Sequence, residues 1–231
     1  MAVSSLAPQQ ARSRESLRKL LKAAAEVLGQ HGLDGATIPR IAAHAGLTPG
    51  AVYRRFKDKD ALIEAVILGI LERQDERLQQ HFPTEAAGQI PLAVFAEQLI
   101  GSMVVSYRSN APLLRAIRLF VQGRAHTPFW RKACRFETST FEHLVELFLS
   151  HAGDIKHPNP RLAVSTGLML VTSMLFEIVV MPTDLGPLKA FLPPDDQALT
   201  RELVRAFLSY LMWDGGRLKS STATRRFQLR G

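Results

Sequence analysis

Residues 37–56, TIPRIAAHAGLTPGAVYRRF, decide how the rest of the chain is read. They spell a short helix, a tight turn and a second short helix. Thr37 suits an N-cap, and Pro39 falls in the first turn, where a missing N–H goes unneeded. Ile38, Ile41, Ala42 and Ala45 share one apolar face. Gly46 can take the left-handed conformation that ends a helix, and Leu47 is the apolar residue inside the turn. Thr48 caps the second helix, with Pro49 in its first position. There Val52 and Phe56 stack at i, i+4 and face inward. At ~100° per residue, the opposite side carries Gly50 and Arg54, flanked by Ala51 and Tyr53. A small residue near the helix start, with a guanidinium and a phenol beyond it, suits a helix lying in a major groove. The stretch predicts a DNA-binding helix-turn-helix. Its candidate contacts are Thr37, Arg40, Thr48, Pro49, Gly50, Ala51, Tyr53, Arg54 and Arg55. Lys57 and Lys59 follow directly, and Lys59 falls in the first turn of another helix, where backbone amides also favour phosphate.

Charge agrees with that reading by its location. The chain of 231 residues carries a net +8 and a pI near 10.1. Residues 1–60 hold ten Lys/Arg against five Asp/Glu, and residues 217–231 hold five Lys/Arg and no acid. The middle of the chain is therefore slightly acidic, and the basic charge sits at the two ends. With 46% hydrophobic residues, a sizeable buried core is expected. Cys134 is the only cysteine, which excludes an intramolecular disulfide and suits a reducing compartment. The N-terminus lacks the apolar segment of a signal peptide. Residues 162–181 are apolar enough to raise the question of a membrane, with one charge, Glu177. A carboxylate in mid-span costs roughly 2.5–3.5 kcal/mol, and Pro160 and Pro182 flank the segment, so it reads as a helix buried in a bundle.

Outward from the motif the chain reads as helices throughout. Residues 1–11 are expected to be a disordered arm. A first helix over 13–31, with Leu17, Leu20, Leu21, Ala24, Val27 and Leu28 on one face, ends at Gly32. His31 closes that stripe as a packed or capping residue. Asp58 can cap a fourth helix that runs to about residue 81 and is the one element linking the two halves. Further helices are expected over 91–109, 111–124, 128–151 and 162–181, and from Asp195 or Asp196 to about 213. No stretch alternates with period two for long enough to make a sheet. The chain is all-α: an N-terminal three-helix domain over 12–60, a helical domain over 61–214 and a basic tail over 215–231. The tail reads as a solvated extension, with a non-specific DNA contact as the weaker alternative.

Catalytic patterns are missing. There is no HExxH, GxSxG, Walker loop or dinucleotide GxGxxG, so neither an enzyme nor a cofactor is expected. His143 follows Glu142 with no second histidine four residues away, which gives a zinc site little support. Cys134 sits among apolar helical neighbours and reads as packing rather than as a thiol sensor. The last helix has one apolar face in Leu199, Leu203, Ala206, Phe207 and Tyr210 and another in Val204, Leu208 and Met212. That arc is wider than one-sided packing needs, so a subunit interface competes with a purely internal role.

TIPRIAAHAGLTPGAVYRRFKDKDALI resembles the DNA-binding motif of TetR-family transcriptional regulators, through Thr37, Ile41-Ala42, Ala45-Gly46, Gly50, Tyr53, Phe56, Lys59 and Leu62. The likeness covers roughly residues 13–64. Arg55 stands where the family often has His, and it keeps a donor for phosphate. The resemblance implies a cytoplasmic, DNA-bound homodimer on a near-palindromic double-stranded operator, with repression released by a small molecule in the C-terminal domain. It also implies a ligand cavity among apolar side chains that could otherwise simply fill a core: Leu99, Met103, Phe120, Trp130, Phe136, Met169, Thr172 and Phe176. Gln122, Arg118, Glu137 and Glu177 are further polar candidates. It favours Val204, Leu208 and Met212 as interface residues. A dimer controlled by a protein partner, or an architectural factor without ligand, is the first rival reading, and an enzyme is the second and weaker one.

Overall fold

The computed structural model describes residues 6–81, 87–182 and 185–214, and side chains from residue 13 onward except that of His81. The expected basic tail lies outside the described residues. All regular structure among them is helical, as residue spacing requires. Helix α1 spans Leu6–Gly35, α2 Ile38–His44, α3 Pro49–Tyr53 and α4 Lys59–His81. Then come α5 Leu92–Val121, α6 Pro128–Leu149, α7 Pro160–Leu175 and α8 Asp196–Leu211. A wide π-turn, Phe176–Val180, prolongs α7, and a 3-10 segment, Gly186–Phe191, precedes α8.

Two boundaries differ from expectation. Residues 6–11, assigned to a disordered arm, are helical and begin α1. Gly32, at φ 66° and ψ −175°, breaks the regular helix where expected and only a short turn runs on to Gly35, but His31 is exposed rather than packed. Residues 91–109 and 111–124, expected as two helices, form the single helix α5 through Pro112. Proline removes one hydrogen bond, here to the carbonyl of residue 108, and both Pro112 and Arg108 are exposed, so water can take that carbonyl. Burial on either side of the proline holds the helix together.

That burial is divided between two cores. Leu20, Val27 and Leu28 of α1, Ile41 and Val52 of the motif, and Leu62, Ile63, Val66 and Ile67 of α4 form the first. Ala116 and Phe120 of α5 and Phe129 and Ala133 of α6 belong to it too. The second gathers Phe95, Leu99 and Ile100 of α5, Leu147 and Phe148 of α6, Leu168 of α7, and Leu203 and Phe207 of α8. The chain therefore does not divide cleanly after residue 60. Helices α5 and α6 join α4 in contributing to both cores, where a single linking helix was expected.

Pro160–Val180 is long and apolar enough to cross a membrane by length and composition, yet only one side of it is covered. Ala163, Val164, Leu168, Val171 and Leu175 face the second core. Leu162, Met169, Leu170 and Met174 are each about half exposed and share the opposite face.

Candidate nucleic-acid interface

The motif folds as its residues dictate. Thr37 Oγ1 accepts the Arg40 amide at 3.4 Å, and Thr48 Oγ1 accepts the Ala51 amide at 3.2 Å, so both short helices are capped. The turn is a Schellman motif. The Leu47 N–H reaches the Ala42 carbonyl at 2.8 Å, the Gly46 N–H reaches Ala43 at 3.1 Å, and Gly46 sits at φ 66°. Val52 is fully buried beneath α3. Thr48, Pro49, Gly50, Tyr53, Arg54 and Arg55 are exposed and Ala51 half-buried, so the face opposite Val52 is open. Tyr53 is 55% exposed, high for a phenol in a folded domain.

The cations separate into two groups. Arg54 is exposed, and Lys57 meets only Asp58, at 3.6 Å in a solvated pair. Arg55 reaches Ser13 Oγ at a long 3.5 Å. Arg40 and Lys59 are engaged elsewhere. Arg40 Nη1 donates to the Gly35 carbonyl and Lys59 Nζ to the Leu33 carbonyl, each at 2.6 Å. Those carbonyls lie in the short segment after the break at Gly32, so two cations hold the link between α1 and α2. Lys59, half-buried, thereby ties the start of α4 to the end of α1. On the other side of the motif His44 Nε2 bonds Glu26 Oε2 at 2.8 Å, which holds that carboxyl below its ordinary value, with Lys22 adding.

A second tie joins this domain to the body. Arg124, at the end of α5, bonds the Phe120 carbonyl and lies 3.9 Å over the Phe120 ring. It also donates to Asp60 Oδ2 in the first turn of α4 at 2.7 Å. Nothing local marks this contact, because the ion pair spans 64 residues. Arg115 is similarly illegible: its guanidinium holds the Val180 carbonyl at 2.7 and 3.0 Å, closing the π-turn after α7.

The expected pocket residues do not converge on one space. Leu99 is buried in the second core with Met103 packed against it, whereas Phe120 is in the first core, edge-on to Phe129 at 6.0 Å. Trp130 is half-buried in the first turn of α6. Phe136 lines a cleft between α4 and α6. Thr172 donates back to the Leu168 and Met169 carbonyls, and Phe176 lies 5.5 Å beneath Arg118. Met169 is on the exposed face of α7, so its place is corrected from pocket to outer surface. Gln122 and Glu177 are exposed. Surrounding protein displaces enough water to raise the Glu137 carboxyl, and burial, then that charge, raises the Tyr107 phenol. Val204 and Leu208 are half-buried against their own core, and Met212 is exposed.

Residues 20–66 match the sequence profile described as bacterial regulatory proteins, tetR family. The HTH-type transcriptional repressor KstR2 of Mycolicibacterium smegmatis is 32% identical over 102 residues. That match covers 44% of this chain and 45% of KstR2, so the chain spans just under half the length of this curated relative. A TetR-family transcriptional regulator of Mesorhizobium loti superposes with a TM-score of 0.64 at 20% identity, covering 86% of this chain and 97% of that one. The FadR regulator of Bacillus subtilis, crystallised with stearoyl-CoA, gives 0.60 at 18% identity, covering 84% and 98%. Profile and motif geometry agree on residues 20–66, which carry the DNA-binding domain of the tetR family of bacterial regulatory proteins, and the whole-chain fold is similar to that of solved TetR-family regulators.

Proposed function

We propose that the protein is a sequence-specific, DNA-binding transcriptional regulator of the cytoplasm and nucleoid, acting as a homodimer on a near-palindromic operator. One observation carries this reading: the capped helix α3 leaves Tyr53 and Arg54 in solvent while Val52 on its far side is fully buried. Such a helix enters a major groove with its long side chains toward base edges. Thr37, Thr48, Pro49, Gly50, Ala51, Arg55 and Lys57 supply the surrounding contacts, chiefly to phosphate. Arg40 and Lys59 act one step back, by setting the helices that present them.

The exposed face of α7 supports the dimer. Leu162, Met169, Leu170 and Met174 form the kind of apolar stripe that an obligate interface leaves when a core is cut in half. Val204, Leu208 and Met212 of α8 border it. A second copy seated there sets two recognition helices roughly 34–36 Å apart, one turn of DNA. KstR2 is named a repressor and FadR is crystallised with stearoyl-CoA. In the same sense, repression here is released by a small, largely apolar effector in the body. That effector must bind the two states of the dimer unequally to shift them.

Selection of DNA from a random pool tests the reading. It should return an inverted repeat, and Arg54→Ala and Tyr53→Ala should each lose about 1–3 kcal/mol of operator affinity with unchanged thermal midpoints. Affinity within about twofold of the parent for both variants removes the groove assignment.

A further inference from the structure

The cleft between α4 and α6 has a volume of about 360 Å³ and is lined by Asp75 from α4 and by Lys132, Arg135, Phe136 and Ser139 from α6. The α6 residues lie three and four apart, on one side of that helix. Their charges are left in an unusual state. Asp75 is half-buried, and both its oxygens are engaged by neutral donors: Gln79 Nε2 on Oδ2 and Thr140 Oγ1 on Oδ1, each at 3.2 Å. Lys132 and Arg135 line the same cleft, yet no carboxylate among the described residues lies within ion-pair distance of either. Arg135 uses only Nε, on the Arg131 carbonyl at 3.4 Å, which leaves the outer fork of its guanidinium open. The half-buried ring of Phe136 supplies an apolar wall. One helical turn beyond Ser139, His143 Nε2 is shut off from solvent with no hydrogen-bond partner, so the seam also holds an unsatisfied polar atom.

Two unpaired cations beside an aromatic wall suit a ligand with an anionic head and an apolar body. Arg in particular recognises carboxylate or phosphate through its planar fork. The volume is at the small end of the roughly 300–1,000 Å³ usual for ligand pockets, which favours a short alkyl body. We propose that this cleft binds a small amphiphilic anion, a medium-chain carboxylate or alkyl phosphate, with Lys132 and Arg135 on the anionic head and Phe136 on the chain. The proposal rests on the reading that the body takes an effector, and it names that effector's chemical class. Occupancy would bear directly on α4, because Asp75 lies on the helix whose first residue, Lys59, holds the end of α1.

The test uses the full-length protein, titrated calorimetrically with decanoate, decyl phosphate and decanol, all below micellar concentrations. At least one anion should bind about tenfold more tightly than decanol, and its affinity should fall as salt rises. Lys132→Ala/Arg135→Ala should weaken that binding by about tenfold or more without moving the thermal midpoint, because both side chains are exposed. Phe136→Ala should weaken decanol and the anion alike. Binding of decanoate identifies a carboxylate as the head, and binding of decyl phosphate alone identifies a phosphate. No binding by either anion, equal binding of decanol, or an unaffected double variant overturns the proposal. Operator binding by the unliganded protein is measured separately. Its loss refutes the regulatory reading, whereas intact operator binding with no anion bound refutes only the cleft.

Discussion

Gly167→Ala probes a close approach of α7 and α8, and its effect can be worked from distances. A Cβ at Gly167 would lie 2.6 and 2.7 Å from Cδ2 and Cε2 of Phe207. Carbon atoms pack at roughly 3.5–4.0 Å, so the ring must retreat by about 1 Å. It has little room to do so. Phe207 is 2% exposed, its ring centroid is 4.8 Å from that of Phe148, and Phe148 is 5.0 Å from Phe95. Overpacking of this kind costs about 1–3 kcal/mol, and alanine's better helix propensity offsets about 1 kcal/mol. Because the ring is hemmed in, the upper half of the range applies, and a net loss of about 1–2 kcal/mol is expected in urea unfolding. For a chain of this size, each kcal/mol lowers the thermal midpoint by about 2–4 °C. Phe207→Leu removes the obstructing ring. In that background Gly167→Ala should be neutral or stabilising, giving a coupling of about 1–2 kcal/mol in the double-mutant cycle. Parent-like stability of Gly167→Ala, or additivity of the two substitutions, would refute the steric argument.

Other expectations follow from single contacts. Arg124→Ala removes a carbonyl bond, a ring contact and an ion pair together and should cost about 1–3 kcal/mol, whereas Asp60→Asn loses only a solvated pair and should cost under about 1 kcal/mol. Equal midpoints for the two variants would show that the Phe120 contacts contribute nothing. Lys59→Ala should lower the thermal midpoint and weaken all DNA binding together, since it frees the segment that joins α1 to α2; a pure change in salt slope with unchanged stability would return Lys59 to the phosphate backbone. Leu170→Glu should give a folded monomer in sedimentation with weakened operator binding, and a dimer as tight as the parent would remove the α7 interface. Leu208→Glu is a poorer probe, because Leu208 also packs against its own core.

The helix-turn-helix was legible because its signals are local. Thr37, Thr48, Pro49 and Gly46 each specify backbone geometry within four residues, and Val52 and Phe56 set the inward face by spacing alone. The apolar character of residues 162–181 and the wide apolar arc of the last helix were also readable from the sequence. What escaped depends on partners far away in sequence. Arg40 and Lys59 look like phosphate ligands until the ends of α1 are seen beside them, because a carbonyl offers no signal in a side-chain pattern. Residues 91–109 and 111–124 read as two helices, but whether the chain breaks there is decided by burial on both sides of Pro112. Met169 and Leu170 are alike by type, and no periodicity within α7 alone distinguishes a face turned to the core from one turned outward.

The shared cores change how an effector signal can travel. A clean boundary after residue 60 would leave α4 as a single lever, free to tilt against a fixed body. Instead Phe120 and Phe129 are packed among Leu62, Val66 and the α1 residues, so the ends of α5 and α6 are part of the DNA-binding core. Arg124 then holds the first turn of α4 from one side, while Lys59 holds it to α1. Tilting α4 alone would strain both contacts and open the buried seam around Phe120. Moving α1 to α4 together with the adjoining ends of α5 and α6 as one unit against the second core leaves both intact and bends mainly the helices that cross between cores. The cleft at Asp75 and Phe136 lies on two of those helices, beyond the first core and beside the second. A ligand that spreads α4 from α6 there would therefore rotate the whole recognition unit, and in a dimer that rotation changes the separation of the two α3 helices.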